Sequence, residues 1–463
     1  MDAAITMHVA AAPADLDTFA RALRGSLLRP TDDAFADATG VWNLDRQATP
    51  LAIVQASDAG DVATTIGFAR RNDIEIAVRS GGHSLAGHST GAGVLVIDMR
   101  GMRGLHVDLV EGIAWAGAGL TAGEVTGALA PHGMAVPFGD TATVGIAGLT
   151  LGGGIGWLAR KYGLAIDSLV AVEIVTPDGE VRMASETDHP DLFWAIRGGG
   201  GNFGVVTRFC YRLSPVGEVL AGALFLPATR DVLRSLVPIA SSAPEELTVI
   251  AALMPVPPLP FVPAEHHGTP SLSILFVHAG DPADGERAIA PFRAVARPLG
   301  ELVAPMPYPG IYEFTREAGV PMASTTRSVF MNALEDGAVD AIMKAYAEAP
   351  DGSMIQLRVF GGAMSRVPVE ATAFPHRSAV AQVTIINDVG DPAHREAAVS
   401  WNRELFTVLE PRSSGVYVNF LEDEGEARVR AAYPHGAYER LAGVKRRYDP
   451  TNAMCRNQNI RPA

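Results

Sequence analysis

From about Leu51 the apolar positions fall into short runs broken by turn residues, and their spacing switches between the strand and helix periods. Leu51–Gln55 predicts a strand. Asp58 is placed to cap the helix that follows, with Asp61 in its first turn and Val62, Ile66 and Ala69 on one face. A second strand, Ile74–Val78, runs straight into Arg79-Ser-Gly-Gly-His-Ser84. The pattern then predicts a strand at Val94–Asp98, a β pair near Leu105–Ala116, a helix from Thr121 to about His132, and a strand at Val172–Thr176 before the turn Pro177-Asp-Gly179. A helix at Pro190–Ile196 and a strand at Val205–Leu213 close this first region.

At Ser214-Pro-Val-Gly217 the texture changes. Glycine thins out, and alternating runs at Ser271–Val277, Ile355–Phe360 and Ala381–Ile386 interleave with helical segments such as Ala338–Glu348. This is the pattern of a second, α+β domain with a largely antiparallel sheet. Pro255–Pro263 reads as a surface loop. Residues 13–44 read as a helical lead-in with a linker, and the chain from about Leu421 as helical, ending in Asn457-Gln-Asn-Ile460. The expected division is 1–44, 45–216, 217–420 and 421–463.

Composition adds exclusions. The 463 residues exceed what one core usually serves, which supports two domains. A formal charge of −14 without a Lys/Arg run argues against a nucleic-acid partner, and Lys445-Arg-Arg447 reads as a solvated helix end. Two cysteines, Cys210 and Cys455, exclude a disulfide framework and a Cys-rich zinc site and fit a reducing compartment. Met1-Asp-Ala-Ala4 has no basic n-region, and no apolar run reaches the ~20 residues that span a bilayer. The expectation is a cytoplasmic protein with neither a nucleic-acid nor a membrane partner.

Several motifs fail on context. GxGxxG/A fits at Gly117–Ala122, Gly154–Ala159 and Gly199–Gly204, but none lies between the first strand and helix of a βαβ unit. Gly87-His-Ser-Thr-Gly91 matches the hydrolase elbow GxSxG, yet a strand follows where a helix is required, which disfavours Ser89 as nucleophile. HExxH is absent; His266-His267 point apart in an extended segment, and the five-residue step from His83 to His88 suits no zinc pattern, so no metal site is expected.

Arg79-Ser-Gly-Gly-His-Ser84 fares better. Two glycines directly after a strand let consecutive backbone N–H groups converge on an anion, with Ser80 and Ser84 as hydroxyl donors and Arg79 as a charge. A tight turn with an incidental histidine is the competing reading. Two further glycine-rich stretches, Gly139–Gly156 and Arg197–Gly204, shift the balance towards one extended cofactor. Between Gly152 and Gly156 there is almost no side chain, which suits backbone lying flat on a planar ligand.

These residues, in this order, resemble the FAD-linked oxidases of the vanillyl-alcohol-oxidase superfamily, with their PCMH-type FAD-binding domain. Within it they are most similar to the berberine-bridge-enzyme-like and 6-hydroxy-D-nicotine-oxidase-like branch. The likeness runs from about residue 45 to 216 and returns in Tyr448-Asp-Pro-Thr-Asn452 and Asn457-Gln-Asn-Ile460. It implies an α+β, two-domain fold in which 45–216 and the returning segment 421–463 hold FAD and 217–420 holds the substrate.

Residue by residue, the resemblance implies that His83 bonds to the flavin 8α-methyl carbon. Ser80, Gly81, Gly82 and Ser84 would hold the pyrophosphate, and Arg79 and His88 count among the cofactor-binding residues. Some members carry a second attaching cysteine where this chain has Thr141, and neither Cys210 nor Cys455 replaces it, so a single link is expected. Val144, Gly145, Gly148, Gly153, Gly154 and Gly156 would line the flavin, with Ile146 at a position that gates oxygen in related enzymes. Val205 would meet the adenine side through its backbone, and Asn457 or Gln458 would close over the cofactor. Tyr417 resembles the family's base and Tyr162 a second active-site tyrosine; on the residues alone, Tyr417 packed on a strand face stays open. The implied reaction is hydride transfer from a small alcohol or amine (of sugar, alkaloid or secondary-metabolite type) to the flavin, with O2 reoxidising it to give hydrogen peroxide. A flavin dehydrogenase with another acceptor, or a serine hydrolase using Ser89, are the alternatives.

Overall fold

The computed structural model describes residues 15–463, so the reading of Met1–Ala4 lies outside the described residues. The lead-in forms a helix at Leu16–Arg21 capped by Asp15, whose carboxylate accepts from the Thr18 N–H. The first sheet runs β1(Ser26–Leu28), β2(Ala52–Gln55), β3(Ile76–Arg79) and β4(Leu95–Asp98) in the order β1-β2-β4-β3, with β2 and β3 both parallel to β4. The connection from β2 to β3 is the helix Ala59–Arg71, capped by Asp58. The strand β3 starts two residues later than the pattern suggests, because the Ile74 N–H is taken by the Ala69 carbonyl at the helix end.

A second, antiparallel sheet comprises β5(Leu105–Asp108), β6(Ile113–Gly117), β8(Leu169–Val175), β9(Val181–Ser185) and β10(Val205–Arg212), ordered β5-β6-β10-β8-β9. A two-residue strand, β7(Met134–Ala135), pairs with β11(Ser214–Pro215). The helix from Thr121 has a capping box with Glu124 and ends as an α-helix at Leu129, where Pro131 turns the remainder into a 3₁₀ turn. One apolar core joins these elements to Tyr433, Tyr438, Leu441, Val444 and Ile460 from the C-terminal segment.

The third sheet has seven antiparallel strands: β12(Glu218–Pro227), β13(Leu247–Pro255), β14(Pro270–His278), β15(Gly300–Pro307), β16(Ser324–Met331), β17(Ser353–Val359) and β18(Ala381–Asp388), ordered β15-β12-β14-β13-β17-β18-β16. Its two faces differ in kind. One carries Leu253, Ile274, Val329, Ile355, Leu357, Val383 and Ile385 against four helices, Arg230–Ser242, Pro282–Arg293, Asp336–Ala347 and Pro392–Leu409. The other bears Ser328, Gln356, Arg358, Gln382 and Thr384, which the registers place side by side across β16, β18 and β17.

Three readings are corrected. Residues 415–420 are no strand: Gly415 makes a single bridge to Phe330, and Val418–Phe420 is a 3₁₀ turn. His266 ends a 3₁₀ turn, and the His267 ring bonds to the Val262 carbonyl at 3.1 Å, so the pair is folded against its own loop rather than extended. Lys445 is not solvated. It is fully buried against Asp449 at 2.7 Å, while Arg446 and Arg447 are the exposed members of that run. The C-terminal helices are Glu426–Ala431 and Ala437–Tyr448; the rest of that segment is irregular backbone.

Candidate active site

The loop leaving β3 is built as a donor cradle. From Ser80 to Ala86 no backbone N–H donates to a protein acceptor among the described residues. The loop is half-buried, with only Gly82 fully so, and its seven consecutive N–H groups present a donor surface that an anion can take in place of water. Gly82 has φ +75°, which turns the chain. At Gly81 the reason for glycine is proximity: a Cβ there would lie 2.3 Å from the Gly145 nitrogen, and one at Gly145 would lie 2.2 Å from the Gly81 nitrogen. The first and second glycine loops therefore touch backbone to backbone.

The side chains of this loop divide their tasks. Ser80 donates its hydroxyl to the Ala118 carbonyl at 2.7 Å, so its proton ties the loop down rather than serving as a phosphate donor. Ser84 Oγ accepts from the His88 N–H at 3.1 Å and keeps its own proton free. Arg79 runs beneath Gly82 and donates through Nη1 to the carbonyls of Ala38 and Gly40, while Nε and Nη2 are buried without a partner. Burial lowers its pKa to about 10 against the opposing pull of Asp98, which leaves it charged at neutral pH.

His83 shares a hydrogen bond between Nε2 and the Thr143 hydroxyl at 3.0 Å and stacks on Trp42, ring centroids 5.9 Å apart. Burial pushes its pKa down to about 4, so the imidazole is neutral. His88 is likewise lowered to about 4, by burial and then by Arg456, and its Nε2 is buried without a partner. The turn after it is pinned by Arg456, which donates to the Thr90 carbonyl at 2.9 Å through Nε. Ser89 is buried with an unpartnered hydroxyl and no base bonded to it.

In the second loop Gly145 begins the helix Ile146–Leu151, and the N–H groups of Thr143, Gly145, Ala147 and Gly148 also lack protein acceptors among the described residues. Gly148 is exposed with open space where a Cβ would stand, and Val144 is half-buried beside it. The glycines at 152–156 have a packing reason as well. Cβ atoms there would strike Asn419 (from Gly152), the Phe374 and Tyr417 rings (from Gly153), Ala165 (from Gly154) and the Phe138 carbonyl (from Gly156). Close packing against protein favours glycine at each, and at Gly153 and Gly154 a positive φ adds to it.

That packing delivers the tyrosine. Tyr417 Oη accepts from the Gly154 N–H at 3.0 Å and from the Asn419 amide at 3.0 Å, and the same amide reaches the Leu149 carbonyl at 3.0 Å. No protein atom among the described residues accepts the proton of Tyr417 itself. Its ring is enclosed by Phe330, Phe374 and Phe420. Burial raises its pKa; the two donors and the Arg358 cation pull the other way. Arg358 is held by Asp140 at 2.7 Å, which brings the seven-stranded sheet against the start of the second loop.

Asn419 was not anticipated from sequence, although its i, i+2 spacing from Tyr417 was a usable signal. Tyr162 is not brought to Tyr417: its hydroxyl donates to the Pro215 carbonyl at 2.6 Å, within the apolar cluster around Trp157 and Leu158. Thr141 is buried near Asp140. Cys210 pairs across β10 with Trp115, and Cys455 Sγ donates to Glu75, both remote from His83 in their contacts.

The third loop is stitched to the C-terminal segment. Asn202 donates to the carbonyls of Gly199 (2.9 Å) and Gln458 (3.2 Å) and accepts from the Ile460 N–H at 2.9 Å. Lys445 donates to the carbonyls of Asn202 (2.7 Å) and Met454 (2.8 Å). The Gln458 amide donates to Leu421 O (2.9 Å), and Asn457 Oδ1 is buried without a partner. Val205 lies at the start of β10, paired with Val175.

Known proteins place this arrangement. Residues 50–185 match the family model described as FAD binding domain, and residues 416–461 match the one described as berberine and berberine like. (R)-6-hydroxynicotine oxidase of Paenarthrobacter nicotinovorans is 31% identical over 457 residues, covering 95% of this chain and 97% of that protein. The chain belongs to the berberine-bridge-enzyme-like family of FAD-linked oxidoreductases. The crystal structure of 6-hydroxy-D-nicotine oxidase from Arthrobacter nicotinovorans superposes with a TM-score of 0.84 at 29% identity, over 95% of this chain and 98% of that one. The berberine-bridge-enzyme-like 1 protein of Physcomitrella patens superposes at 0.86 with 22% identity, over 95% and 97%. For a member of this family the N–H groups at 80–86 and at 143, 145, 147 and 148 that lack protein acceptors among the described residues, with the Arg79 cation beneath Gly82, are donors of the kind that the phosphates of FAD would take. No helix among the described residues is long and apolar enough to cross a membrane.

Proposed function

We propose that this FAD-linked oxidoreductase is an oxidase that removes two electrons from a small alcohol or amine, with FAD tethered through His83 alone and dioxygen as the acceptor that yields hydrogen peroxide. In this reading residues 45–216 and 421–463 hold the cofactor and 217–420 hold the substrate. Bound FAD supplies the two-electron chemistry. The observation that carries the reading is the Tyr417 oxygen, fixed by two N–H donors, one of them from the glycine loop at Gly154.

Those donors are aimed where negative charge develops when Tyr417 gives up its proton, so they favour the phenolate. Tyr417 then takes the proton of the substrate hydroxyl or amine as the electrons leave. On the sheet face beside Phe330 and Arg358, the buried amide of Gln382 and the hydroxyls of Thr384 and Ser328 have no protein partner among the described residues. Gln382 lies in register between Phe330, which touches Tyr417, and Arg358. We assign this strip to the substrate, a small molecule offering both donors and acceptors. Arg79, Ser84, Gly145 and Gly148 support the phosphate end, and Asn457 and Gln458 the closing segment.

The test is anaerobic addition of candidate sugars, amines and secondary alcohols to the yellow protein, followed by air. Bleaching, prompt return of colour and one peroxide per turnover are expected. Colour that returns only with a quinone would make it a dehydrogenase. Acid precipitation that releases all the yellow colour would defeat the His83 tether. Gln382→Leu should lower kcat/KM about tenfold or more without changing flavin content.

A further inference from the structure

Resting on the His83 tether proposed above, we propose that Thr143 is the positioning residue for attachment: its hydroxyl takes Nε2 of His83 and leaves Nδ1 as the nitrogen that bonds to the flavin 8α-carbon. The Nε2 contact to Thr143 Oγ1 is 3.0 Å, and Nδ1 has no partner among the described residues. The hydroxyl can pair with Nε2 in either direction, so Nε2 is occupied and Nδ1 is the ring nitrogen left open; in the tautomer whose Nε2–H donates to Thr143, Nδ1 carries the lone pair that attacks. The neutral ring described above is the form that can attack.

The ring is also held laterally. Trp42 stacks on it at an interplanar angle of 24°, and its indole N–H donates to the Ala318 carbonyl at 2.9 Å. The next residue, Gly319, packs on Thr143: a Cβ there would lie 2.8 Å from Thr143 Oγ1. Trp42 and Thr143 are therefore both braced by one turn from the region after β15. His83 sits in a vice whose outer jaw belongs to the other half of the molecule.

The chemistry balances as follows. A C–H bond of the 8α-methyl group breaks and an Nδ1–C bond forms. The methyl proton and the Nε2 proton leave, and two electrons pass through the flavin to a two-electron acceptor, dioxygen in the proposed oxidase, which becomes hydrogen peroxide. Thr143 suits the departure of the second proton because it is solvent-exposed, and a hydroxyl accepts from Nε2–H before attachment and donates to the bare Nε2 afterwards.

The experiment uses the full chain. Wild type, Thr143→Val and Thr143→Ser are loaded with FAD, and natively bound flavin is compared over time with flavin that survives acid precipitation, checked by intact mass. The expected result is normal native binding, attachment slowed about tenfold or more in Thr143→Val, and rates within about twofold of wild type in Thr143→Ser. Equal attachment rates in wild type and Thr143→Val would overturn the role of Thr143 while leaving the tether standing. So would NMR of the wild-type flavin peptide showing a bond to Nε2, a measurement that decides the matter even where Thr143→Val fails to fold. Complete release of flavin from wild type in acid would overturn both.

Discussion

Replacing Lys445 by Met keeps the length of the stem and removes only the ammonium group. In the native protein that group has three acceptors, the Asp449 carboxylate at 2.7 Å and the carbonyls of Asn202 and Met454 at 2.7 and 2.8 Å, and both charged partners are fully buried. Burial depresses the lysine pKa while Asp449 supports it, the expected balance for a charge that is desolvated but paired. Breaking a buried pair from one side leaves the other charge uncompensated, at a cost of about 3–5 kcal/mol. The Asp449 carboxylate keeps the N–H groups of Ala453 and Met454, both at 2.8 Å, which favours the low end, whereas the two orphaned carbonyls push the figure up. A loss of about 4 kcal/mol is the working value. The second variant, Lys445→Met with Asp449→Asn, removes the stranded charge and should recover about half of the loss. Unfolding of the FAD-loaded protein in urea, followed by far-UV signal and flavin fluorescence in parallel, reads both. A single variant within about 1 kcal/mol of wild type, or a double variant no better than the single, would refute the idea that this ion pair locks the C-terminal segment.

Tyr417→Phe should slow anaerobic flavin reduction by about 10²–10⁴-fold, read by stopped flow, with flavin content unchanged. Asn419→Leu removes one donor to the phenol oxygen and so raises its pKa; the midpoint of the pH–rate profile should move to higher pH, and an unmoved midpoint would take Asn419 out of the role. Gly145→Ala would drive a methyl group onto the Gly81 nitrogen, 2.2 Å away, so FAD binding measured by equilibrium dialysis should fall at least about tenfold. His376 is buried, its pKa lowered to about 4 by loss of solvent, and bonded to the Ala432 carbonyl. Its folded pKa lies below the unfolded 6.5, so the stability it allows is complete above pH 6.5 and is lost as pH falls towards 4. Thermal unfolding from pH 7 to 4 should show a steeper decline in wild type than in His376→Phe.

What was legible in the chain was local. A strand that ends in Ser-Gly-Gly-His has few physical uses, and the loop of free N–H groups at 80–86 is the one it suggests. The alternation at Ser271–Val277 and Ala381–Ile386 marked buried strands because one face of each meets helices. What was not legible depended on distant partners. Lys445 looks like its exposed neighbours until Asn202, 243 residues away, supplies the carbonyl that draws it inside. Gly152–Gly156 suggested a flat ligand, and the structure adds a reason the sequence could not show, the close approach of Asn419, Phe374 and the Phe138 carbonyl where side chains would stand. Residues 415–420 alternate like a strand but, among the described residues, bridge only to Phe330, so Tyr417 stands at the start of a turn. Tyr162 has the right residue type, and only the position of Pro215 shows where its hydroxyl is spent.

The tie between Asn202 and Ile460 spans 258 residues. During synthesis the glycine loops emerge early and stand open, with their N–H groups presented to water, while the seven-stranded sheet is still being made. The tie closes only after residue 460 has been made and its segment has folded back against the third loop. Contacts of such long range form late. A chain in which Ile460 has reached Asn202 has therefore already joined the third glycine loop to its own last residues, and that single hydrogen bond marks the completed fold.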